Sequence, residues 1–154
     1  MTATTISELT YDLSLRGLTQ QEASLNELRT RTGVLLAATA IAIALLGGRS
    51  LDDGARTAVD LAGVGLAVTS FLLSVFVLAP KAHYVAMPDA AAVNEYFTQQ
   101  QVDPTEAMQA LVFWNREMWE ENQATIDRLV LAFRWACLAL VGAVVLWSLG
   151  LAVQ

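Results

Sequence analysis

Four hydroxyls, Thr39, Thr69, Ser70 and Ser74, stand deep inside stretches of the chain that are otherwise almost wholly apolar. In such surroundings a hydroxyl has two uses. It bonds back to a carbonyl about four residues earlier in its own helix, or it lines a path for water and ions. Asp52, Asp53 and Asp60 lie at one end of these stretches, where they would form the external mouth of such a path and favour cations. The bases Arg16, Arg29, Arg31, Lys81, Arg116 and Arg128 lie at the other end, where lipid headgroups are their ordinary contacts.

Catalysis requires a nucleophile beside a base, a carboxylate pair in a pocket, or a set of metal ligands. The chain has 1 His and 1 Cys, His83 and Cys137. They are expected at different membrane depths, and the acids lie mostly on solvated helix faces. No H-E-x-x-H, Cys pair, G-x-S-x-G or glycine-rich phosphate loop occurs. No enzymatic role, metal or cofactor is therefore expected. Cys137 reads as a small apolar filler and His83 as an interfacial polar residue.

The elements that must position these residues follow from hydropathy. Hydrophobic residues make up 55% and charged residues only 16% of the 154, with a mean hydropathy of +0.47. A soluble domain carries about a quarter charged residues. Three runs, Thr32 to Gly48, Thr57 to Pro80 and Leu129 to Val153, are nearly free of charge, with Asp60 near the start of the second and Arg134 near the start of the third, and each is long enough to cross a bilayer. The first, at about 17 residues, is at the lower limit.

No signal peptide is expected, because the first 30 residues are polar and lack a basic segment before an apolar one. The first span then serves as the insertion signal. By the positive-inside rule the N-terminus and the loop between the second and third spans are cytoplasmic. Arg49 to Arg56 and Gln154 then lie on the outer side. The net charge of −6 argues against a nucleic-acid surface, so no duplex partner is expected.

Along the chain, Thr5 and Glu8 have capping-box spacing, and Leu15, Leu18, Leu25 and Leu28 recur at helical intervals. Gly17 and Gly33 are weak points in the helix they predict. Asp89 to Gln100 reads as a short amphipathic helix. Asp103-Pro104-Thr105-Glu106 is a strong helix start, with nothing to break the helix before Gly142. The expected fold is all-α, a single membrane domain over 1–154. Its parts are a cytoplasmic helix plus first span at 5–47, a second span at 57–79, a short cytoplasmic helix at 89–101, and a cytoplasmic helix plus third span at 103–153.

Small residues repeat along each span: Gly33, Ala37, Ala40, Ala44 and Gly47 in the first, and Ala132, Ala136, Ala139 and Ala143 in the third. The second has two such faces, Ala58, Ala62, Gly65 and Thr69 beside Gly63, Ala67, Ser70 and Ser74. In lipid these seams mark helix contacts. Three spans cannot enclose a water path, whereas several chains around an axis can. The expected assembly is a symmetric homo-oligomer in the lipid bilayer, taken as a tetramer.

The segments QQEASLNELRTRTGVLLAATAIAIALLGG, VLAPK and NQATIDRLVLAFRWACLALVGAVVLW occur in this order. They resemble the small membrane effectors of bacterial antiphage systems, the SLATT and Pycsar-effector transmembrane class. Glu27, Leu28, Arg29, Arg31 and Gly33 at the first helix, and Asp127 to Trp135 at the third, carry the resemblance over nearly the whole chain. It implies an oligomeric channel or membrane-disrupting effector of the inner membrane. Such an effector answers a nucleotide signal from a partner nucleotidyltransferase or cyclase, as in CBASS, Pycsar or Hailong systems, and depolarises the cell. A nucleotide would have Arg16, Arg29, Arg31, Lys81, Arg116 and Arg128 available as cytoplasmic bases. The chain departs from many members in that no separate soluble nucleotide-sensing domain is expected. The alternative is a non-conducting scaffold or accessory subunit whose long helices recruit a soluble partner.

Overall fold

A computed structural model describes residues 6–48, 58–79 and 90–153 of the chain. Helix α1 covers Ile6–Ala42 and passes directly into a π-helical turn, Ile43–Gly47. Gly17 and Gly33 lie within α1 and do not end it. Helix α2 covers Ala58–Leu78. It is rich in β-branched residues and glycine, which are poor helix formers in water. In lipid no water competes for backbone N–H and C=O groups, so a helix is what satisfies them in a single segment.

Helices α3, Ala90–Gln99, and α4, Pro104–Val153, are joined by a tight turn. Val102 N–H donates to Phe97 O and Gln101 N–H to Thr98 O, both at 3.3 Å, with Gln101 at φ 52°. That is a Schellman ending with glutamine in the place glycine usually takes. Asp103 then caps α4: Thr105 N–H donates to its Oδ2 at 2.9 Å, and Pro104 occupies the first helical position. Phe97 stacks on Trp114 with ring centroids 5.8 Å apart, and Tyr96 leans on both rings.

The chain divides into two compact units. The first comprises Met1–Asn26 and Lys81–Asp127. Its interior holds Gln21, Leu25, Asn115, Asn122 and Ile126. Asn115 Nδ2 donates to Ser14 Oγ at 2.9 Å, and Gln21 Nε2 donates to Trp119 O at 2.9 Å and Gln123 Oε1 at 3.2 Å. Pairing of 14 with 115 and of 21 with 119 and 123 means that the two helical segments run parallel.

The second unit comprises Glu27–Pro80 and Arg128–Gln154. Its centre is Trp147, 1% exposed, with buried Ala67 and Ala143 beside it. A methyl on Gly63 would lie 2.6 Å from Trp147 Nε1, and one on Gly47 3.4 Å from the indole ring. The indole therefore occupies hollows left by missing side chains. Gly63 meets Trp147 while Gly142 meets Leu66, so α2 runs antiparallel to the last part of α4.

Candidate functional site

The candidate site is the membrane-spanning unit itself. Thr39, Ser70 and Ser74 are each 0% exposed within one chain. Thr39 Oγ1 donates to Leu35 O at 2.9 Å and lies 3.3 Å from Ser70 Oγ, and Ser74 Oγ donates to Ser70 O at 2.8 Å. Thr39 and Ser74 thus bond back to carbonyls of their own helices, one of the two uses expected, and the Thr39–Ser70 contact joins α1 to α2. Thr69 differs. It lies on the exposed face of α2, with Oγ1 donating to Gly65 O at 2.8 Å.

Asp60 is 1% exposed and engaged with neighbouring groups inside the chain. A methyl on Gly150 would lie 3.3 Å from its Oδ1, so α4 passes close to Asp60 at this glycine. Asp52, Asp53 and Lys81 lie outside the described residues. Arg31 pairs with Glu27, and Arg116 Nε donates to Glu120 at 3.0 Å, both pairs one helical turn apart and solvated. Arg16 and Arg128 are exposed. Arg29 is half-buried, with its Nε enclosed and without a hydrogen bond. The structure thus brings Thr39, Ser70 and Ser74 together, while the described bases stay distributed along α1 and α4.

The seams of small residues divide in two. Gly63, Ala67, Ser70 and Ser74 on α2, and Ala136, Ala139 and Ala143 on α4, are buried inside one chain. Gly33, Ala37 and Ala40 on α1, Ala44 in the π-helical turn after it, and Ala58, Ala62, Gly65 and Thr69 on α2, are exposed. Gly47 departs from the first of these exposed seams and is buried against Trp147. Gly47 is the last residue of the π-helical turn that follows α1.

Sequence reasoning missed Trp147 and Thr32, the latter 0% exposed with Oγ1 donating to Leu28 O at 2.7 Å. A signal for Trp147 was present: it continues the series Ala136, Ala139, Ala143 at helical spacing. It also missed the buried amides Gln21, Asn115 and Asn122, which look like surface residues by composition.

Beyond these inner faces the spans are turned outwards. In the most apolar window of each long helix only 17%, 28% and 22% is buried. Val34, Ile41, Phe71, Leu72, Trp135, Leu138 and Val141 are all largely exposed. Among the described residues, three helices are long and apolar enough to cross a bilayer. A helical protein with such an exterior has the character of a multi-pass membrane protein. Compared with protein-family models, curated proteins and solved structures, the chain matches none.

Proposed function

We propose that the chain is one subunit of a homo-oligomeric inner-membrane channel or membrane-disrupting effector. In this reading it serves antiphage defence, is controlled by a nucleotide signal, and depolarises the cell to stop growth. The observation that supports assembly is the pair of uncovered seams. A methyl on Gly33 or Gly65 would meet nothing within 4 Å. In lipid the tails are as apolar as leucine, and close backbone approach over small residues is what draws helices together. The defence role and the nucleotide rest on the resemblance of the segments around Glu27 to Gly33 and Asp127 to Trp135.

Within this reading the first unit is cytoplasmic, with its acids and bases in water. Because Thr39, Ser70 and Ser74 are bonded inside one chain, a lining between copies narrows to Thr69. The same observation favours the second reading, a non-conducting scaffold, since the interior hydroxyls already have their partners.

Gly65→Leu separates the two. Its side chain enters open space in a single chain, so the protomer keeps its fold. Crosslinking in native lipid is expected to fall from oligomers to single chains, and depolarisation followed with a voltage-sensitive dye to vanish. Oligomers of unchanged size would exclude this seam. Wild-type oligomers that never depolarise cells would establish the scaffold.

A further inference from the structure

Arg134 is the only ionised side chain in the third apolar run, Leu129 to Val153, and it is exposed. Among the described residues no carboxylate pairs with it, whereas Arg31 and Arg116 each have one. A guanidinium on the outside of a membrane span is costly unless it finds an anion or water, so its partner lies outside the chain.

The rest of that face says which partner. From Leu131 to Val145 the exposed residues of α4 are Leu131, Arg134, Trp135, Leu138, Val141 and Val145, all of them bulky. The small residues Ala136, Ala139 and Ala143 are turned into the chain. Helices in a bilayer approach closely over small residues, so a second copy finds its seam on α1 or α2 and none here. Lipid therefore covers this face of α4.

Arg134 stands six residues beyond Arg128, about 9 Å further along the helix axis. Helical side chains lean towards the N-terminus of their own helix, which for α4 is the direction out of the apolar run. The arginine stem can thus stay in hydrocarbon while the guanidinium returns to the level of the headgroups. Trp135 beside it, 58% exposed, is the kind of amphipathic ring that settles at that depth. The planar fork of N–H donors matches two oxygens of one phosphate. Arg128, also exposed, adds positive charge at the same end of the span, which favours a negative headgroup over a zwitterionic one. We propose that Arg134 binds the phosphate of an anionic phospholipid in the leaflet where the third span begins. The site rests on the second unit lying in a bilayer and on neither the channel nor its nucleotide signal.

Native mass spectrometry of the full chain in detergent micelles, with phosphatidylglycerol or phosphatidylcholine added, tests the site. The wild type is expected to hold phosphatidylglycerol about fivefold more tightly than phosphatidylcholine. Arg134→Gln should weaken the phosphatidylglycerol adduct about tenfold. Arg134→Lys keeps the charge and should weaken it less. Arg116→Gln, which breaks a solvated ion pair elsewhere on α4, should leave it unchanged. Glycerol phosphate at millimolar concentration should not displace the lipid, because it lacks the acyl chains that lie along Leu131 and Leu138. Displacement by it would assign the site to a soluble phosphate and overturn the proposal. Equal binding of the two lipids, an adduct that survives Arg134→Gln, or equal losses with lysine and glutamine would overturn it too. So would an Arg134→Gln chain whose oligomer masses change while its lipid adducts do not, since the guanidinium would then meet a second copy. The readout is lipid binding, so a chain that holds the lipid without depolarising cells removes the channel and leaves the site.

Discussion

Gln21, Asn115 and Asn122 fill the interior of one unit together with Leu25 and Ile126. The other closes over Thr32, Thr39, Ser70 and Ser74, a row of alanines and glycines, and Trp147. In the first, large residues meet across a gap that side chains must fill, and amides fix which turn faces which. In the second, backbones approach closely because side chains are missing, and a single indole takes up the room left over. The contrast is the one expected if the first unit lies in water and the second in lipid, as proposed. In water, removal of apolar surface drives association, so bulk is favoured inside. In lipid that drive is absent, and contact area gained by close approach replaces it.

This comparison breaks if the two units respond alike to changes in side-chain size. The largest effect is expected for Leu25→Ala in the first unit, where a residue 3% exposed is cut back. It should lower stability by about 2–5 kcal/mol, read by denaturant unfolding in a mild detergent. Next comes Gly63→Ala in the second unit, where the added methyl collides with a rigid, enclosed indole at 2.6 Å. A loss of about 1–3 kcal/mol is expected, measured as a lower thermal midpoint. An unchanged midpoint would mean that Trp147 is not held in the glycine hollow. The smallest effect, with opposite sign, belongs to Gly17→Ala. Its methyl makes an ordinary contact at 3.7 Å and gains helix propensity, so stability should rise by up to about 1 kcal/mol. A fall there would show that α1 is as tightly packed at Gly17 as α2 is at Gly63.

Much of the fold was legible. The capping sequence Asp103-Pro104 marks the start of α4, and the apolar runs mark both ends of α2 and the far end of α4 to within two residues. The turn at Gln101 was not legible, because glutamine there disguises a position that glycine normally occupies. Nor was the π turn, since Ile43 to Gly47 reads as ordinary helix and only its neighbours decide which way Gly47 faces. The site was legible in composition and not in direction. The deep hydroxyls were identified, but periodicity along one helix does not say whether a face meets another helix of the same chain or lies open. Asp60 shows the same limit: its place near a span end suggests a mouth, while packing beside Gly150 encloses it.

Hydropathy, charge placement and caps by themselves determined that this chain is helical, where its helices run, and that three of them can cross a bilayer. Those properties arise from the local chemistry of each segment. Which seams close inside the chain and which stay bare, that Trp147 fills the gap left by Gly47 and Gly63, and that one oxygen of Gln21 has no partner were decided only in three dimensions. Each depends on side chains far apart in the chain meeting or failing to meet, and no local pattern encodes that.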